Sequence, residues 1–181
     1  MPDDLIFRKA NTCDLEQIAG IYSRNLDEEE AGRISTGWKR DVYPTAEIAK
    51  EAIEAGEMFV LEEKGRILCC GRINQEQEDA YYGADWRYPA PDEKVMVLHT
   101  FMTDSPYSGR GYGKIFVKCY EDHALKNGCP YLRMDTDEHN ARARALYKKL
   151  GYEERGIVPA VFNGLPEIHL VLLEKKLEEI K

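Results

Sequence analysis

The sequence predicts one α/β domain over residues 1–181: a mixed central sheet flanked by helices, with a glycine loop between the fourth strand and the helix that follows. Three observations carry this. Segments of helical period and short apolar segments occur in the order β, α, α, β, β, β, glycine loop, α, β, α, β, β, which suits a mixed sheet with helices packed on it. The apolar stretch "KVMVLHTFMT" runs straight into "DSPYSGRGYGKIF", so a strand feeds a glycine loop that opens a helix. A chain of 181 residues, 43% of them apolar, has the length and composition for one real core.

Each element has its own signal. "LIFRKA" is a short apolar-rich strand. Asn11 or Thr12 caps a helix in which Leu15, Ile18, Ala19 and Tyr22 recur at helical spacing. "EEEAGRISTGWKRDVYP" reads as a short helix ending in a loop, and "TAEIAKEAIEAGE" as a helix running from a Thr45 cap to Gly56. "MFVLEEKGRILCCGRIN" is a hairpin turning at Lys64-Gly65. Residues 75–93 have no steady period and form a long loop; their four aromatics argue for order, and loops of such length are commonly functional. "KIFVKCYEDHALKNG" is an amphipathic helix closed by Gly128, "PYLRMDT" a strand, and "NARARALYKKLG" a helix from Asn140 to Gly151. Asn163-Gly164 signals a hairpin before the last apolar strand.

Composition narrows the function. A formal net charge of −8 would repel a phosphate polymer, which sets nucleic acid aside, and mildly favours cationic or amine-bearing small molecules. No run approaches the roughly 18 apolar residues of a membrane span. The first residues, "MPDDLIFRKANTCD", do not read as a signal peptide. Cys13, Cys69, Cys70, Cys119 and Cys129 are odd in number, lack CxxC spacing and form no Cys/His cluster, so the expectation is reduced thiols, no metal and a cytoplasmic location.

The glycine run fails two phosphate fingerprints. A P-loop needs G-x-x-x-x-G-K-[ST], but Ser108 stands at its first position and Ile115 at its last. A dinucleotide G-x-G-x-x-G ends here on Lys114 or Phe116. What remains is a strand, then S-G-R-G-Y-G, then a helix. Alternating glycines let backbone N–H groups converge at a helix N-terminus, whose partial positive charge favours an anion, and Arg110 and Lys114 add formal charge.

"SGRGYGKIF" followed about thirty residues later by "NARARALYKKLGY" resembles the GNAT superfamily of N-acetyltransferases. Residues 108–113 match that family's [QR]-x-x-G-x-[GA] loop except at Ser108, which removes one charge near the pyrophosphate. The later motif matches at Asn140, Tyr147, Gly151 and Tyr152. Independently, Asn140 and Tyr147 lie two helical turns apart on one face, with the small Ala143 between them.

The resemblance implies transfer of an acetyl group from acetyl-CoA to a primary amine of a small molecule or peptide, by direct attack in a ternary complex. Ser108, Gly109, Arg110, Gly111, Tyr112, Gly113 and Lys114 would bind the cofactor's phosphates, and Asn140, Ala143 and Tyr147 would flank it. Its pantetheine arm would lie along Phe101, Met102 and Thr103, with a backbone N–H near Met102 on the thioester carbonyl. Tyr147 would protonate the departing thiolate. His99, sharing strand parity with Phe101 and Thr103, is a candidate base in the useful titration range, or else a satisfied core histidine; Glu167 and His169 are rivals. Trp38, Tyr43, Trp86 and Glu167 are candidates for the acceptor pocket, as are Tyr81, Tyr82 and Tyr88 of the aromatic loop. A CoA-binding sensor without catalysis is the alternative reading, and homodimerisation stays open.

Overall fold

The computed structural model describes residues 4–161, 164–165 and 168–178. Its strands are β1 (Leu5–Lys9), β2 (Met58–Glu63), β3 (Arg66–Asn74), β4 (Val95–Thr103), β5 (Tyr131–Asp137), β6 (Glu153–Ala160) and β7 (Ile168–Lys176). Its helices are α1 (Leu15–Glu30), α2 (Ala46–Glu54), α3 (Tyr112–Lys126) and α4 (Ala141–Lys149). The order matches the sequence reading, and the caps explain why. Thr45 accepts from the Ile48 N–H at 3.3 Å and Asn140 from the Ala143 N–H at 3.1 Å, each satisfying a donor that the first helical turn leaves unpaired. Asn11 caps a single turn over residues 12–14 that leads into α1, with the Asp14 carboxylate accepting from the Asn11 N–H in return.

Two boundaries differ from expectation. The short helix expected after residue 28 is the tail of α1, and residues 31–45 are irregular. The Glu29 carboxylate accepts the N–H groups of Thr36 and Gly37, at 2.6 and 3.3 Å, and so ties this segment back onto α1. α3 begins at Tyr112, two residues before the expected Lys114. Of the Asn163-Gly164 hairpin signal, Asn163 lies outside the described residues.

The seven strands form one sheet in the order β1-β2-β3-β4-β5-β7-β6. Every pairing is antiparallel except β4 with β5. Strand alternation sorts side chains onto two faces. Phe59 and Leu61 of β2, Met96 and Leu98 of β4, and Leu132 and Met134 of β5 pack against Phe116, Val117 and Tyr120 of α3 and Tyr147 of α4. On the other face, Met58 and Val60 meet Ile18, Ile21, Ala49 and Ile53 of α1 and α2, while Val95 and Val97 meet Tyr81 from the 75–93 segment.

Two irregularities in β4 prepare an opening. Cys70 pairs with Met102 and Arg72 with His99, so Thr100 and Phe101 together oppose Gly71: a β-bulge, with Thr100 at φ 48°. A Cβ on Gly71 would lie 3.0 Å from Leu98 and 3.3 Å from Phe116, so glycine is what lets the bulged strand pack this closely. Further, β4 pairs with β5 only at Val95, Met96 and Val97, whereas β5 stays paired with β7 through Asp137. Beyond Val97 the neighbours diverge, and among the described residues no strand lies beside the β5-facing edge of β4.

Candidate active site

A cavity of about 510 Å³ occupies that divergence, a size that suits a small-molecule site. Its walls come from both faces of the sheet. Leu98, Phe101, Leu146 and Tyr147 line it from the α3/α4 side, and Tyr43, Glu78, His99 and Asp135 from the side of the 31–45 and 75–93 segments. The cavity therefore passes through the sheet.

One end gathers backbone donors and cationic side chains. Arg24 pairs with the buried Asp104 at 2.6 Å and fixes the chain where β4 ends. The run that follows turns through Gly109 and Gly111, the latter at φ +90°, which an L side chain adopts only with strain. A Cβ on Gly111 would meet no protein atom within 4 Å, so its requirement is the backbone turn. The backbone N–H groups of residues 109–114 make no hydrogen bond among the described residues, and they stand at the start of α3. Lys114, Arg142 and Lys149 line the cavity. Of the expected cofactor residues, Ser108, Gly109, Gly111, Gly113, Lys114, Asn140, Ala143 and Tyr147 meet here. Arg110 and Tyr112 do not: both turn to Tyr107, Arg110 over its ring at 5.3 Å and Tyr112 edge-on at 6.4 Å. Arg142, unremarked among the charges of "NARARAL", lines the cavity beside Gly109 where Arg110 does not.

The bulge corrects two expectations about β4. His99 and Phe101 do not share a face, because the extra residue flips the alternation: Phe101 stacks on Phe116 at 4.8 Å, while His99 reaches Asn74 and Glu78 on the opposite side. The expected donor at Met102 is also displaced. The Asp104 N–H donates to Leu68 at 2.8 Å, so alternation turns the Met102 N–H toward β3 as well, and the backbone groups at the open edge are those of Phe101 and Thr103. The Thr103 carbonyl accepts from Asn25 at 3.2 Å.

Tyr147 lines the cavity with no hydrogen-bond partner for its hydroxyl among the described residues, and burial pushes its pKa well up, so it holds its proton. Across the opening, His99 Nε2 faces two oxygens, Asn74 Oδ1 at 2.9 Å and the Glu76 carbonyl at 3.1 Å. A carbonyl only accepts, so Nε2 carries the hydrogen, and Nδ1 faces the Glu78 carboxylate at 3.2 Å. When Nδ1 also carries a hydrogen, that contact holds the Glu78 pKa below its ordinary value, against the opposing effect of burial, so the pair is a proton acceptor only once Nδ1 has lost its own. Asp135 accepts from the Tyr81 hydroxyl at 2.7 Å, and burial raises its pKa to about 6.

The acceptor candidates separate. Trp38 and Tyr43 line the cavity, edge to face at 6.1 Å, with the Tyr43 hydroxyl on Thr100. Trp86 lies outside it; its indole donates to the Tyr81 carbonyl and its ring stacks on Arg133 at 4.3 Å, which makes it a packing residue. Tyr82 points outward and Tyr88 packs on Tyr131, while Tyr81 acts on the site only through Asp135. His169 is not in the cavity lining and pairs with Glu138 at 3.1 Å. Glu167 lies outside the described residues. Glu78 and Asp135 escaped the sequence reading.

Residues 21–152 match the Acetyltransferase (GNAT) family. The chain belongs to that family. Acetyl-CoA is the GNAT co-substrate, and the unpaired N–H groups, the glycine turn and the cations at one end of the cavity fit its phosphates. Among curated relatives, YhfO of Bacillus subtilis (strain 168), an uncharacterized N-acetyltransferase, is 28% identical over 154 residues, spanning 81% of this chain and 89% of YhfO. Among solved structures, a GNAT acetyltransferase of Streptococcus agalactiae 2603 superposes with TM-score 0.80 at 23% identity over 97% of each chain. The yncA protein of Salmonella typhimurium, solved with its cofactor acetyl-CoA, superposes with TM-score 0.69 at 18% identity over 98% of this chain and 96% of that one. At such identities the superpositions show the fold. Among the described residues no helix is long and apolar enough to cross a membrane.

Proposed function

We propose that this GNAT protein transfers the acetyl group of acetyl-CoA to an amine, in one complex containing both substrates. The observation that carries the reading is a cavity through the sheet with a proton donor on one face and a proton-accepting pair on the other. When bound, acetyl-CoA supplies a thioester activated for attack. The N–H groups of residues 109–114, with Lys114, Arg142 and Lys149, hold its phosphates. The open edge of β4 pairs with its amide-bearing arm as with an added strand, and the N–H of Phe101 or Thr103 is positioned for its carbonyl.

An ammonium cannot attack until it loses a proton. Glu78 faces the cavity and His99 Nδ1 lies behind it, so the proton passes to the carboxylate and the imidazole shares it. Tyr147, held as a phenol by burial, donates its proton to the leaving sulfur. Trp38 and Tyr43 wall the acceptor.

The test is thiol release from acetyl-CoA across a panel of primary amines, beside acetyl-CoA binding by thermal shift. Saturation at about 100 times the dissociation constant should stabilise the fold by about 2.7 kcal/mol. Absence of a shift at millimolar acetyl-CoA and CoA overturns the cofactor site. Binding with no thiol release from any amine overturns catalysis and favours a sensor.

A further inference from the structure

The charges lining the cavity are segregated. The cations Lys114, Arg142 and Lys149 belong to the start of α3 and to α4, at the phosphate end. The acids Glu78, Asp135 and Asp137 belong to the 75–93 segment and to β5, and among the described residues no lysine or arginine lines the cavity beside them. Each of the three acids has an internal partner on one oxygen. Glu78 meets His99, and Asp137 accepts the His139 N–H at 2.8 Å while its other oxygen would lie 2.8 Å from a Cβ on Gly37, so the 31–45 segment closes directly over it.

Glu78 is spent on His99 and Asp137 is covered, which leaves Asp135. Tyr81 donates to Oδ2, and Oδ1 has no hydrogen-bond partner among the described residues. The side chain is surrounded by protein yet keeps accessible surface, and the cavity is what it opens onto. A carboxylate in a partly enclosed site gains most from a donor that itself carries charge, and acetyl transfer to a monoamine leaves none: the attacking nitrogen sheds its proton to Glu78 and His99 and becomes neutral, a weaker donor. A second ammonium on the same acceptor would give Oδ1 its donor and the negative end its counter-charge.

We infer that Asp135 sets the acceptor class, selecting amines that carry a second cationic group over amines that carry a carboxylate. This rests on reading the cavity as the acceptor site of the proposed reaction. Burial makes Asp135 reluctant to ionise, and a bound cation offsets that reluctance.

Calorimetry of the CoA-loaded protein at neutral pH tests the inference apart from catalysis. The probes are 1,4-diaminobutane, butylamine and 4-aminobutanoate, titrated into the parent, Asp135→Asn and a control, Glu54→Gln, which removes a like charge on the exposed side of α2. The diamine should bind the parent about tenfold or more tighter than butylamine, a charge-assisted hydrogen bond's worth, with 4-aminobutanoate weakest. Asp135→Asn should remove that preference and Glu54→Gln should keep it. Equal binding of diamine and 4-aminobutanoate, a preference that survives in Asp135→Asn or is lost equally in Glu54→Gln, or no binding of any probe at millimolar concentration overturns it. Thiol release is scored separately: the binding preference without acetyl transfer refutes the reaction and leaves only the cavity's preference for a second cation standing, and transfer to all three amines at equal rates supports the reaction and overturns the selection by Asp135.

Discussion

Replacing Asp135 by asparagine should make the protein more stable at neutral pH. The folded protein raises this carboxyl from 3.8 to about 6, chiefly because burial penalises its charge. The groups around it are Tyr81 and Glu78 of the 75–93 segment, His99 of β4, Tyr43 of the 31–45 segment and Tyr147 of α4; the Tyr81 hydrogen bond and His99 lower the value, and Glu78 raises it. The folded state thus binds the proton to higher pH than the unfolded chain does, so this group's contribution to stability falls as pH rises from 3.8 to about 6 and is fully lost above that. A shift of about two units at 1.36 kcal/mol each costs about 3 kcal/mol at neutral pH. Asparagine is neutral throughout, and its amide oxygen can still accept from Tyr81. The variant should therefore gain about 3 kcal/mol at neutral pH, and about half of that near pH 5. For a chain of this size the neutral-pH gain corresponds to a rise in Tm of roughly 6 to 12 °C. Urea unfolding of both proteins at the two pH values, with equal m-values, measures it. Equal midpoints at neutral pH, or a gain that does not shrink on acidification, would refute the reasoning. A gain accompanied by loss of the diamine preference would mean that the protein keeps Asp135 for binding, against its own stability.

Three more outcomes are expected. Gly111→Val forces a β-branched residue to φ +90° and should weaken acetyl-CoA binding about tenfold or more by calorimetry; Arg142→Ala should weaken it more than Arg110→Ala, whose side chain rests on Tyr107 outside the cavity. With an accepted amine, Tyr147→Phe should lower kcat by about 10²- to 10⁴-fold while acetyl-CoA affinity holds, and an unchanged rate with chemistry limiting removes Tyr147 from the mechanism. Glu78→Gln and His99→Gln should each depress kcat/KM on an accepted amine while acetyl-CoA affinity holds; full activity on the same amine in both variants shows that the pair only packs.

The order of strands and helices was legible because its signals are local. Thr45 and Asn140 cap through their own side chains, the Lys64-Gly65 turn needs no distant partner, and the glycine loop followed by "NARARALYKKLGY" carries the family in sequence order. The glycine-turn end of the cavity was legible for the same reason: it is one strand end, one turn and one helix start. The acid-lined face was not. The bulge at Thr100 depends on Gly71 in the neighbouring strand, so alternation along β4 alone grouped His99 with Phe101 and Thr103, whereas the two faces separate them. Glu78 sits in "QEQED", where acids look like solvated charge, and only folding of the 75–93 segment against β4 brings it to His99. Asp135 did carry a signal, an acid inside an apolar strand, but whether it meets solvent, a partner or a cavity depends on where β4 leaves β5. Capping and turn chemistry act within a few residues and are written in the chain, whereas burial, charge pairing and the opening between two strands are properties of segments that meet only after folding.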